Sequence, residues 1–156
     1  MKKFLIMLMA AALLLPVSCS KESGTLDEQM TSGEYEYSGR MTVSASGADN
    51  VSENVEVDVI IDDKSKTASI EFKGVKFVPQ MPVTLDVKIP GVGYAEKDGR
   101  IEFSGDNIIP LSGGVVEVPF PKYTVKGLSG TLDKSRLSLT LNFGDYPVTY
   151  EGTASR

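Results

Sequence analysis

From Glu34 to the C-terminus, apolar and polar residues alternate with a two-residue period over most of the chain, and no useful length repeats at helical spacing. In the run from Tyr35 to Ala45 every odd position is apolar or glycine and every even one is polar, which predicts a strand with one buried and one wet face. The next run places Val55, Val57, Val59 and Ile61 on one face, with Glu56 and Asp58 on the other. Asp62-Asp63-Lys64-Ser65 reads as a turn, and Ala68, Ile70 and Phe72 line the strand that returns. After Gly74 the phase slips, so that Val75 and Phe77 continue the apolar face one residue late. Such a slip predicts a β-bulge, which bends a strand and lets a sheet curl.

The middle third is less regular. Pro79, Pro82 and Pro90 frame an alternation of Val83, Leu85, Val87 and Ile89 against Thr84, Asp86 and Lys88. Asp98-Gly99 is a strong hairpin signal, joining a strand through Tyr94 to one carrying Ile101 and Phe103. Residues Asn107 to Lys122 are apolar, rich in Gly and Pro, and poorly alternating. Prolines at 110, 119 and 121 predict an edge, a wide loop or a barrel rim there, not a central strand. The pattern then recovers through Tyr123, Val125, Leu128, Gly130 and Leu132, a turn at Asp133-Lys134-Ser135, and Leu137, Leu139, Leu141 and Phe143. Gly144-Asp145 turns the chain once more into Val148, Tyr150 and Gly152.

Eight or nine strands with short turns, and no helix beyond a turn or two, predict an all-β domain. Two architectures manage so many antiparallel edges, an up-and-down eight-stranded barrel or a β-sandwich. The succession of hairpins favours the barrel, and the sandwich is the alternative. Glycines in the inward phase at 39, 130 and 152 point the same way, because tight coiling needs positions without a side chain. Closure would bring Val148, Tyr150 and Gly152 beside the first strand around Tyr37 and Met41.

Three elements together carry a family likeness: Tyr37-Ser38-Gly39-Arg40-Met41-Thr42-Val43; Gly127-Leu128-Ser129-Gly130-Thr131-Leu132 running into Leu137-Ser138-Leu139-Thr140-Leu141; and Tyr150-Glu151-Gly152. From Glu34 onward the chain resembles the calycin-like lipoprotein domains of Bacteroides and related gut bacteria. The resemblance implies a calycin-like barrel of eight strands behind a lipidated N-terminus, and it brings no catalytic residues. The Gly-x-Trp signature of lipocalins is missing, so their ligand chemistry does not transfer.

The N-terminus sets the expected address. Lys2 and Lys3 form a positive start, Phe4 to Val17 is almost wholly apolar, and Pro16-Val17-Ser18-Cys19 resembles a lipobox. The apolar run falls short of the roughly 20 residues that a spanning helix needs. The expected organisation is therefore a lipoprotein signal peptide at 1–18, a lipidated flexible tether at 19–33, and a calycin-like barrel at 34–156. Cys19, the single cysteine, is the expected lipidation site and membrane anchor. Lys21-Glu22 looks like the Lys-acidic signal that sends lipoproteins of these bacteria to the cell surface, although Ser23 stands where a second acid would be. The expected location is the outer membrane, on its surface or periplasmic side.

Composition narrows the chemistry. Without Lys2 and Lys3, 14 basic side chains face 21 acidic ones, a formal charge of about −7 with no basic cluster, which argues against nucleic acid. Histidine is absent, and a lipidated Cys19 leaves no thiol. The usual general base, the Ser-His and Cys-His pairs and nitrogen-ligated metal sites are thus excluded. Asp62, Asp63, Asp86, Glu96, Asp98, Glu102 and Asp106 fall at turns or on polar strand faces, where solvated carboxylates are ordinary. Neither catalytic nor metal-binding residues, nor any cofactor, are expected.

Two readings of function remain open. An eight-stranded barrel either fills itself with side chains or holds one small ligand. Tyr35, Tyr37, Phe72, Phe77, Phe103, Tyr123 and Tyr150 are the candidate lining of a small apolar-ligand site in a non-catalytic, monomeric binding module. Alternatively the barrel is filled and acts as a structural or protein-interaction lipoprotein, meeting an envelope partner through the apolar segment from Ile108 to Phe120.

Overall fold

Alternation of this kind buries one face of each strand, and in the computed structural model those faces meet inside one closed sheet. The structure describes residues 30–78 and 80–155. Strands β1 (Gly33–Ala45), β2 (Ala48–Asp62), β3 (Thr67–Val75), β4 (Leu85–Lys97), β5 (Arg100–Gly105), β6 (Leu111–Ser112), β7 (Val125–Leu132), β8 (Arg136–Phe143) and β9 (Tyr146–Ala154) follow in chain order, with one 3-10 turn at Pro121–Tyr123. Every pairing is antiparallel, and β3 pairs with β4 as well as with β2. The ring closes where β9 lies beside β1, with Gly39 opposite Gly152, Met41 opposite Tyr150 and Val43 opposite Val148. The signal peptide, Cys19 and the tether up to residue 29 lie outside the described residues.

β5 and β6 are two pieces of one stave. β5 pairs with the far part of β4 and with β7. Ile108 then bridges to Val125, and Leu111 and Ser112 pair with Lys88 and Val87. The barrel therefore has eight staves, and the sandwich is ruled out.

Four bulges curl the sheet, each around a residue with positive φ. Gly74 (φ +56) lies in β3 where the sequence phase slips, Asn54 (φ +57) in β2, Gly91 (φ +65) in β4 and Gly127 (φ +55) in β7. A bulge leaves its extra N–H outside the ladder. Asp86 accepts the Gly74 N–H at 2.7 Å and Asp106 accepts the Gly127 N–H at 3.0 Å, so two of the surface carboxylates cap bulges. Pro90 sits at the β4 bulge, where a missing donor costs nothing, and β4 runs through the proline that the sequence pattern makes a boundary.

The interior is apolar and continuous, with Met41, Val57, Val59, Ile70, Phe72, Ile89, Leu132, Leu139 and Val148 all buried. At the closing seam, Gly39 and Gly152 let two strands approach: a Cβ at 39 would overlap the Glu151 carbonyl oxygen and the Gly152 Cα. A Cβ at 152 would strike the Tyr150 ring, whose Cε1 lies 2.7 Å from that position. The phenol thus occupies the space that the glycine leaves.

Because the strands run up and down, their connections fall at two ends. One end carries the turns at 63–66, 98–99 and 133–135 together with Met30 and the end of β9. It is called the closed end below. The other, the loop end, carries 46–47, 144–145 and the long connections 76–84 and 106–124.

Candidate functional site

Four of the seven aromatic candidates, Phe72, Phe77, Tyr123 and Tyr150, join one chain of ring contacts that Phe143 completes. Phe72 meets Phe77 and Tyr150 edge-on, at ring-centroid distances of 5.1 and 5.7 Å. Phe77 stacks on Phe143 at 4.2 Å, and Phe143 stacks on Tyr123 at 5.1 Å. These rings form one column from mid-barrel to the loop end. Phe103 is buried in the same core, while Tyr35 and Tyr123 are partly buried at opposite ends.

Inside, the tyrosine hydroxyls find protein partners. Tyr150 donates to the Val55 carbonyl at 3.0 Å, and Tyr37 donates to the Asp133 carbonyl at 2.7 Å. Burial raises both phenols well above the ordinary tyrosine range, with the Asp133 charge adding to the effect at Tyr37. Among the described residues, no buried side-chain polar atom lacks a hydrogen-bond partner.

The closed end is sealed by residues before the first strand. Met30 is buried in the core cluster, against a pocket of about 100 Å³ lined by Glu96 to Ile101. Thr31 donates its N–H to the Tyr35 hydroxyl at 3.1 Å and accepts that hydroxyl on its carbonyl at 2.8 Å. Ser32 and Asp63 form a reciprocal pair: the Ser32 N–H donates to Oδ2 at 2.8 Å, and the Asp63 N–H donates to the serine Oγ at 3.0 Å. The Tyr94 hydroxyl donates to Asp63 Oδ1 at 2.5 Å. Those hydrogen bonds, Tyr94 first, hold Asp63 below the ordinary aspartate range, while burial followed by the bond to Asp63 pushes Tyr94 up to about 12.

At the loop end the apolar residues divide. Ile108 packs on the core and Pro110 is buried, whereas Ile109 is 45 % exposed, Val118 49 %, Val116 73 % and Val115 fully exposed. The valines sit on a small hairpin in which the Ser112 N–H donates to the Val118 carbonyl at 2.9 Å and the Phe120 N–H to the Pro110 carbonyl at 2.8 Å. Beneath it lies a pocket of about 60 Å³ lined by Met81, Leu85, Val87, Phe120, Tyr123 and Phe143. That volume takes a methyl-bearing side chain, not a whole ligand. Met81 and Phe120 come from segments without alternation, so periodicity has no means of marking them.

Two larger grooves lie beside the end of β9: one of about 460 Å³, lined by the candidate residues Tyr35 and Tyr37 with Glu34, Glu36 and Lys134, and one of about 390 Å³, lined by Tyr37 and by polar and charged side chains such as Glu56, Asp58 and Lys73. Lys73 bridges Asp58 at 3.0 Å and Glu71 at 3.3 Å, so these carboxylates are spent in an ion-pair network. Among the described residues, no group of three or more His, Cys, Asp or Glu side chains is placed to hold a metal ion. Nor is any helix among them long and apolar enough to cross a membrane.

No protein-family model matches the chain, and no curated protein matches it in sequence. Among solved structures, the barrel is similar to that of a putative outer membrane protein from Bacteroides fragilis, with a TM-score of 0.48 and 17% identity over 81% of this chain. The matched region spans 51% of that protein, so this chain covers about half of the length of its structural neighbour.

Proposed function

We infer that this chain is a lipid-anchored envelope protein of the calycin-like kind that binds without catalysis, and that it binds at its loop end and not inside the barrel. The observation that carries the reading is the division of apolar surface. The ring column packs within the interior, whereas Val115, Val116, Val118 and Ile109 stay in water at one end. Contiguous exposed apolar surface rimmed by polar residues is characteristic of interaction sites. The chain enters the barrel through Met30 at the closed end, the end from which a tether to Cys19 would lead. Two acyl chains hold a protein stably where one holds it marginally.

The anchor and the site are tested separately. Cys19→Ala is expected to release the protein from the membrane fraction, and unchanged sedimentation with the outer membrane overturns the anchor. For the site, full-length protein in nanodiscs is titrated with decanoate and with cholate while side-chain NMR signals are followed. Shifts at Val115, Val116 and Ile109 with Phe72 and Tyr150 unmoved support the loop end. Shifts at Phe72 and Tyr150 return the site to the interior.

A further inference from the structure

We propose that the outer edge of β2 over residues 48–53 docks a basic, extended segment of a partner protein, which adds to it as an antiparallel strand. The proposal goes beyond the apolar tip, because neither Val115 nor Val116 takes part in it. β1 pairs with β2 from Gly33–Ile61 to Ala45–Ala48, but β3 accompanies β2 only between Asp62 and Val57. Past Phe72, β3 bulges at Gly74 and continues beside β4 alone. The far part of β2 is therefore strand with one neighbour, and it is exposed on both faces. Turn geometry tells which backbone groups look outward. Ser46 and Gly47, both at positive φ, make a two-residue hairpin turn, closed by the hydrogen-bonded pair Ala45–Ala48. Bonded and non-bonded pairs alternate along an antiparallel ladder, so Ala48, Asn50 and Ser52 bond to β1. Asp49 and Val51 turn their N–H and C=O groups the other way, where no described residue bonds to them. The edge ends at the Asn54 bulge, after which the Val55 carbonyl accepts from Tyr150. An open ladder edge is what an added strand recognises, with main-chain bonds giving affinity and side chains giving selectivity.

Charge decides the occupant. Asp49 and Val51 lie opposite the outward-facing Ser44 and Thr42, so their side chains share the solvent face, and Glu53 joins them there by meeting Arg40 at 2.8 Å. The row reads acidic, apolar, acidic, and an added strand matches it with basic, apolar and basic side chains directly opposite. The Arg40–Glu53 pair is exposed on both sides and so is weak enough to be exchanged. Where β3 leaves β2, the groove of about 390 Å³ continues the same sign, with Glu36, Glu56, Asp58 and Asp86 around the single Lys73. A second copy does not fit. Centred on Val51, two such edges would set Asp49 opposite Glu53, and like charges directly opposite destabilise a pair. The chain's own stretch 20–29 carries Glu22, Asp27 and Glu28 against Lys21, so it does not complement the edge either.

The test uses full-length protein in nanodiscs and the blocked peptide Lys-Thr-Val-Thr-Lys at millimolar concentration. Its controls are Glu-Thr-Val-Thr-Glu and the basic peptide N-methylated at its valine. Amide exchange is read at Asp49 and Val51. At least tenfold slower exchange with the basic peptide, and no slowing with either control, supports strand addition. Val51→Pro removes an outward donor from an exposed edge and is expected to abolish the protection at Asp49 with an unchanged melting temperature. Asp49→Lys with Glu53→Lys is expected to reverse the preference toward the acidic peptide, and this variant decides alone if the proline prevents folding. No slowing with the basic peptide, or equal slowing with all three, overturns the proposal. So does protection without peptide, which would assign the edge to a second copy if it grows with chain concentration and to the chain itself if it does not.

Discussion

The two ends of the barrel are made by the same strands, yet they dispose of apolar and polar groups in opposite ways. At the closed end, turns of a few residues are tied by aspartates: Asp62 accepts the Lys64 N–H at 3.0 Å, and Asp133 accepts the N–H groups of Ser135 and Arg136 at 2.8 Å each. Met30 covers the apolar surface that remains. At the loop end a connection of 106–124 replaces a turn, its prolines end the ladder early, and its valines stay exposed. Short Asp-capped turns leave nothing to bind. A long Gly- and Pro-broken connection costs more to order, which is a reason to look for function in it.

The sharpest way to break the comparison is to remove the floor of the loop end. Phe143 lies between Phe77 and Tyr123 in the ring column and is 2 % exposed. Phe143→Ala is expected to cost about 3–5 kcal/mol, the range for truncating a buried aromatic side chain and leaving a cavity behind. Denaturant unfolding measures it. A loss below about 1 kcal/mol would mean that the loop end collapses freely and that the column is not a support.

The matching change at the closed end is smaller. Met30→Ala deletes a buried side chain from a segment at the chain's entry, where partial fraying relieves strain, so about 2 kcal/mol is expected. Exchange should speed up at Ser32 and Asp63 and stay unchanged around Phe120. Equal acceleration at both ends would show that the barrel opens as one unit.

These asymmetries were unevenly legible in the sequence. Strands whose faces differ in burial could be read directly, and the slip at Gly74 located a real bulge. Residues 48–54 of β2 could not, because they are exposed on both faces and so carry no alternation. Val83 continues the alternation of Leu85 and Val87 yet lies outside β4 and is exposed, since periodicity does not report where pairing stops. The apolar segment 107–122 was recognisable as a rim, but which of its residues face water depends on the hairpin that β6 makes with Val118, a contact between segments with no pattern of their own. Met30 stands in a polar stretch without periodicity, and its burial comes from joining the core cluster at the closed end.

pH should separate the ends further. Asp63 is lowered by its bonds from Tyr94 and Ser32, so its contribution is complete above the ordinary value of 3.8 and fades as pH falls through the lower folded value. Asp62 is lowered chiefly by the Ser65 hydroxyl and acts in the same direction. Tyr94, raised first by burial and then by Asp63, contributes fully below 10 and loses that contribution as pH climbs toward about 12. The methyl signals of Met30 and Met81 report the two ends with the same residue type. Met30 is expected to move below pH 3.8 and between pH 10 and 12, with Met81 still. Simultaneous movement of both would signal global unfolding instead of a titrating closed end.

The smallest expected effect on stability is the most diagnostic for function. Val115 and Val116 are the most exposed large hydrophobics among the described residues, at 104% and 73%. Their replacement by serine removes almost no buried area, so Val115→Ser with Val116→Ser should shift unfolding by no more than about 0.5 kcal/mol. The loop conformation should survive too, because the hairpin is held by Ser112, Val118, Phe120 and the Val116 backbone carbonyl and not by the two valine side chains. What should fall is the binding of an apolar reporter dye, since the exposed patch loses most of its hydrophobic area. Unchanged stability with lost dye binding marks the tip as surface kept for contact. A loss of several kcal/mol would instead make these valines part of the fold, and the contrast between the two ends would then be one of degree.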